Sequence, residues 1–159
     1  MSDESKLKEQ ATNYLTMLHI NRVRQLLNLA VTEFIQRGED HDQSKLESPE
    51  VELFAEYTDK LAGCTYGSPE YQEFKRLLKP ALDHHYANNR HHPEYYANGV
   101  NDMTLFDVLE MLMDWKAASE RQNNGCINRS VEENSERFGI HKQLTQILVN
   151  TIKYVEAIE

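Results

Sequence analysis

Apolar residues return every third or fourth position along nearly the whole of this 159-residue chain, and strand-like alternation is essentially absent. That period fits helices whose one face is buried and leaves no segment patterned as a half-buried strand, so the expected fold class is all-α. A chain of this length makes one core and is too short for two ordinary domains, which predicts a compact single-domain helical bundle over residues 1–159. The first helix is expected from about Ser5 to Arg37, with Ala11, Tyr14, Leu15, Leu18, Val23, Leu26, Leu27, Ala30, Val31, Phe34 and Ile35 as its buried stripe and Gly38 as its stop.

Local signals divide the rest. Ser48-Pro49-Glu50 predicts a helix start, with proline at the first helical position, and Gly63 its end. Ser68-Pro69-Glu70 repeats the signal and opens a helix toward His85, which Pro80 should kink or divide because it removes a backbone donor. Residues 88–102, with Pro93 and Gly99, read as a loop. Thr104-x-x-Asp107 resembles a capping box with aspartate in place of glutamate, and it introduces a helix from Leu105 to about Arg121 that Asn123-Asn124-Gly125 ends. Ser130-x-x-Glu133 predicts a short helix stopping near Gly139, and His141 to Ile158 a last amphipathic one.

A formal charge of −9 argues against a broad nucleic-acid surface, since such affinity comes from neutralising phosphates. A small nucleotide remains compatible with it. Cys64 and Cys126 form no Cys-x-x-Cys pair, which suits a reducing compartment and excludes a cysteine-based structural zinc site. The N-terminus, Met1-Ser2-Asp3-Glu4-Ser5-Lys6, lacks the apolar core of a signal peptide, and no stretch approaches the ~18 apolar residues of a membrane span. The expected location is the cytoplasm.

Six of the seven histidines lie between residues 19 and 92: His19, His41, His84, His85, His91 and His92. His41 precedes Asp42, and Asp114 sits inside the apolar run Leu105 to Trp115. His19 falls on the core-facing stripe of the first helix, four residues from Leu15 and from Val23. A carboxylate amid apolar neighbours is costly by several kcal/mol unless a metal, a cation or several donors meet it. Each residue alone has an ordinary alternative: a hydrogen-bonded core histidine, a helix end, a solvated loop. Their co-occurrence is what points to one or two divalent ions shared among several helices.

The order His19, His41-Asp42, Asp114 on an all-α chain resembles the HD superfamily of metal-dependent phosphohydrolases. His41-Asp42-x-x-Lys45, His85, His91-His92 and Asp114 resemble the extended pattern of its multi-metal members, such as the HD-GYP phosphodiesterases, without the Gly-Tyr-Pro element. The set from His41-Asp42-x-Ser44-Lys45 through Ser48-Pro49-Glu50, His85, Asn89, His91-His92-Pro93-Glu94-Tyr95 and Glu110-Met111-x-x-Asp114-Trp115 is similar to an uncharacterised family of small bacterial and phage proteins of that superfamily. The resemblance covers about residues 14–118, leaving C-terminal helices over about 130–159. It implies an HD-like bundle in which His19, His41, Asp42 and Asp114 hold a first ion, with Asp42 as the bridge. His85 and one or both of His91 and His92 would hold a second.

Imidazole and carboxylate ligands without thiolate suit Mn²⁺, Fe²⁺, Ni²⁺, Co²⁺ or Zn²⁺. The expected chemistry is hydrolysis of a small phosphate ester by water that the metal activates. Lys45 is expected on phosphate oxygens, with Asn89, Arg90 and Arg121 as further substrate contacts and Glu110 in a supporting or proton-transfer role. The resemblance makes a nucleotide the preferred substrate; Tyr86, Tyr95 and Tyr96 would stack on its base. The alternative is a non-catalytic nucleotide-sensing or protein-interaction module with a structural metal. A homodimer through the C-terminal helix, with Ile140, Leu144, Ile147, Leu148, Ile152, Val155 and Ile158, is the rival to that helix completing the core.

Overall fold

In a computed structural model, residues 3–65, 68–121 and 125–159 are described. They form the helices α1 (Asp3–Asp40), α2 (Glu50–Gly63), α3 (Pro69–Asn88), α4 (Leu105–Glu120), α5 (Ile127–Arg137) and α6 (Lys142–Ile158). Short 3₁₀ turns cover Gln43–Leu46, Pro93–Tyr95 and Gly99–Asp102, and no strand occurs among the described residues. The all-α expectation holds. Among the described residues no helix is long and apolar enough to cross a membrane.

The chain divides into two compact units, Met1–Glu39 and Asp40–Glu159. The first is essentially α1, which runs past both expected ends. Gly38 does not stop it, because a mid-helix glycine costs only about 1 kcal/mol and is outvoted by its neighbours. The expected buried stripe is also corrected: α1 buries none of its residues, and a lone helix has no second element in its own unit to pack on.

In the second unit α2 packs on α3, while α4, α5 and α6 pack in series. The core is Val108, Met111 and Leu112 of α4, Ile127 and Val131 of α5, Ile140, and Leu148 and Ile152 of α6. The last helix therefore completes the core. Ser68 caps α3 by accepting from the Tyr71 N–H at 3.1 Å, as its sequence signal predicts. Pro80 lies inside α3 without dividing it; Leu78 and Ala81 are buried on either side of it and hold the helix through the missing bond. The Thr104/Asp107 capping box forms as expected. The start of α5 differs from expectation: Ile127 and Val131, a buried i, i+4 pair, draw it back to Cys126, so Ser130 is interior. Asn123 and Asn124, the expected end signal of α4, lie outside the described residues.

Candidate metal centre

Immediately after α1, Asp42 adopts φ 56°, a left-handed conformation that aspartate tolerates better than most side chains. It turns the chain into the 3₁₀ segment carrying Lys45 and then into α2, whose first residue is Glu50. His84 and His85 come from the last turns of α3, and His91 and His92 from the turn that follows. Glu110 and Asp114 stand one turn apart on α4.

These segments bring two donor sets together around Asp42. In the inner set, Asp42 Oδ1 lies 3.4 Å from His85 Nε2 and 3.5 Å from His91 Nε2. His92 joins it, its Nε2 2.8 Å from that of His85. In the outer set, His41 Nε2 lies 3.5 Å from Asp42 Oδ2 and 3.8 Å from Asp114 Oδ1. Asp42 thus turns one oxygen to each set. His41, His91 and Glu110 form a further close group.

The inner set fits a divalent ion. Asp42 Oδ1 and His91 Nε2 are buried, face one another, and have no hydrogen-bond partner among the described residues. Leaving such atoms unsatisfied costs ~1–3 kcal/mol each. Donors on a tetrahedral ion with bonds of ~2.1 Å stand ~3.4 Å apart; the 3.4 and 3.5 Å separations around Asp42 Oδ1 match this, and the 2.8 Å between His85 and His92 would have to open. The inner set is closed, with one carboxylate and three imidazoles, and His85 and His91 are 2% and 1% exposed. The outer set has three donors, each only partly buried, and so leaves room for a further ligand.

The electrostatics agree with that reading. Burial pushes the His92 imidazole down to about 3, helped by neighbouring His91 and His85, so it stays neutral. Burial and Lys45 lower His85 as well. Hydrogen bonds to Asp114 and then Glu110 push His41 up to about 10 despite its burial. Burial opposes the charged forms of Asp42 and Asp114, yet Lys45 holds Asp42, and His41 holds Asp114, below the usual carboxylate range. Without an ion, then, His41 and Lys45 are the cations that face the clustered carboxylates.

The expected site residues separate accordingly. His41, Asp42, His85, His91, His92 and Asp114 are brought together, with Glu110 behind them. Lys45 donates to Asp42 Oδ2 at 2.6 Å and is partly exposed. His19 belongs to α1 in the other unit, where it is exposed, and is not among the residues that the second unit gathers. Asn89, expected at the substrate, is 9% exposed and donates to Ser44 Oγ and the His85 carbonyl, each at 2.8 Å; it holds the turn. Arg90 is tied to Tyr96 Oη at 3.2 Å and lies 3.5 Å from Asp107 at the start of α4. Arg121 caps the far end of α4, about 10 Å along its axis from Asp114. Tyr86 touches His92, with ring centroids 5.0 Å apart.

Sequence reasoning took Glu50 for a helix start and for part of the family pattern, and gave it no role at the site. It is fully buried, with Oε1 2.7 Å from His84 Nδ1 and Oε2 2.9 Å from His85 Nδ1. Burial opposes its charge, but His84, Ser44 and His85 hold the carboxyl below its ordinary range.

Residues 8–154 match the family described as a family of unknown function, DUF5662, and the chain belongs to that family. No curated protein and no solved structure matches the chain.

Proposed function

We propose that this member of the family is a metal-dependent phosphohydrolase of HD type, acting on a small phosphate ester such as a nucleotide. The observation that carries the reading is the buried, unpartnered pair Asp42 Oδ1 and His91 Nε2, 3.5 Å apart inside a ring of further donors. When bound, divalent ions supply a nucleophile from water near neutral pH and draw charge from a phosphoryl oxygen. The inner residues would hold one ion in a closed set, and His41, Asp42 and Asp114 would hold another with a position open to substrate.

The chain's own groups supply the rest. Lys45, 40% exposed and anchored on Asp42 Oδ2, sets an ammonium at the mouth of the outer set, where it would pair with phosphate oxygens. Beside His92 and Asp114 opens a cavity of about 200 Å³, walled by Tyr86, Trp115, Phe138 and Arg137. It has room for a small organic group and none for a duplex.

The test is metal content of protein purified without added metal, followed by hydrolysis of p-nitrophenyl phosphate and a panel of nucleotides with Mn²⁺, Fe²⁺, Co²⁺, Ni²⁺ and Zn²⁺. The expected result is one or two ions per chain and turnover with at least one of them. A chain that takes up no ion would overturn the proposal. Tight uptake with no turnover would favour the second reading, a non-catalytic module around a structural metal, which the closed inner set supports.

A further inference from the structure

Each of two carboxylates behind the donors, Glu50 fully buried and Glu110 partly so, serves two histidines. Glu110 Oε1 lies 3.0 Å from Nδ1 of His41 and 3.0 Å from Nδ1 of His91. Glu50 divides its oxygens, one to His84 Nδ1 at 2.7 Å and one to His85 Nδ1 at 2.9 Å. An imidazole whose Nδ1–H is held by a carboxylate is fixed in tautomer and ring angle, and its Nε2 lone pair is aimed the opposite way. All three rings so held at the site present Nε2 to Asp42: His85 and His91 to Oδ1, His41 to Oδ2.

We infer that Glu50 and Glu110 are positioning residues with divided duties: Glu50 aims the inner donor set alone, while Glu110, by holding His41 and His91 on one oxygen, ties the inner set to the outer. His84 belongs to none of the donor groups and has a different duty from its neighbour His85, that of fixing Glu50. A fully buried carboxylate is a poor contributor to stability in itself, since similar-sized apolar residues often replace a buried ion pair without loss. Aiming the imidazoles is what gives Glu50 its use.

The inference rests on the metal-binding part of the reading above and needs no substrate. It predicts a difference between variants that follows from acceptor count. Glu110→Gln keeps one carbonyl oxygen, and one oxygen is all that His41 and His91 share. Glu50→Gln keeps one where His84 and His85 require two. Glu50→Met and Glu110→Met remove every acceptor at similar volume.

The experiment titrates the full-length chain with Co²⁺ alone. It reads the visible spectrum of the bound ion, its affinity by chelator competition, and metal-free folding by circular dichroism. Two ions are expected on the wild type. Glu50→Met should weaken one of them ~10–100-fold and Glu110→Met both, the usual range for losing such a partner. Glutamine should restore most of the affinity and spectrum at position 110 and little at position 50. Met variants that fold and bind both ions with wild-type affinity and spectrum would overturn the inference while leaving the metal reading intact. Equal rescue by glutamine at both positions, or a single ion on the wild type, would overturn the division of duties. A wild type that takes up no Co²⁺ would overturn the metal reading itself, and this inference with it.

Discussion

Asp42→Asn separates the two demands placed on one residue. Its backbone stands at φ 56°, a conformation that asparagine accepts as readily as aspartate, so the turn out of α1 should survive. What the metal-free chain loses is the 2.6 Å ion pair with Lys45, which is 40% exposed, and the longer 3.5 Å contact with the protonated His41, and such pairs are worth about 0–1 kcal/mol each. Removing a charge from beside Asp114, Glu110 and Glu50 offsets part of that. The metal-free melting temperature should therefore move by no more than about 4 °C. With metal the expectation reverses. An ion at a hundredfold excess over Kd stabilises the folded chain by about 2.7 kcal/mol, or about 10 °C for a unit of this size. Since both donor sets include Asp42, the variant should lose that gain almost entirely. The assay is differential scanning calorimetry with and without Zn²⁺ or Mn²⁺. Asp42→Ala is the control for the turn, and should melt lower even without metal by about 1–2 kcal/mol. An Asn variant that keeps the full metal-dependent rise would refute the assignment of Asp42 as a ligand.

Two glycines should respond with opposite signs. Gly38→Ala, inside α1 where a new methyl meets no heavy atom of the described residues within 4 Å, should raise helicity by circular dichroism and add about 0.5–1 kcal/mol. Gly139→Ala, at φ 63° in the turn between α5 and α6, should cost about 1–2 kcal/mol in urea unfolding, and no loss there would contradict the left-handed assignment. Leu112→Ala, at a fully buried position shared by α4, α5 and α6, should cost ~2–5 kcal/mol, and a cost under 1 would mean that this is not the core.

Much of the fold was legible because its signals are local. The Ser68 cap and the Thr104/Asp107 box each act within one turn of helix, so sequence spacing alone identifies them. Gly38 and Ser130 misled for the complementary reason. Both are statistical stop or start residues whose preference of about 1 kcal/mol is smaller than the packing or propagation that overrides it. The stripe on α1 misled differently: periodicity says that a face is apolar and is silent on what covers it.

The donors were legible as residue types, and their holders were not. Histidines and Asp42 stand out because imidazole beside carboxylate has few uses in a helical chain. Glu50 does not, because a carboxylate in the first turn of a helix already has a sufficient explanation in the helix dipole. The Ser-Pro-Glu signal before α2 is repeated before α3, where Glu70 is an ordinary exposed first-turn acid. Only the packing of α2 against α3 distinguishes the two, by setting Glu50 against His84 and His85 while leaving Glu70 in solvent. The same holds for Asp42. Glycine would make its turn more easily and asparagine as easily, but neither brings two charged oxygens to the point where the turn exits α1. A turn position that favours glycine and yet carries aspartate, with one oxygen toward His85 and His91 and the other toward His41 and Lys45, is set by the donors that converge there.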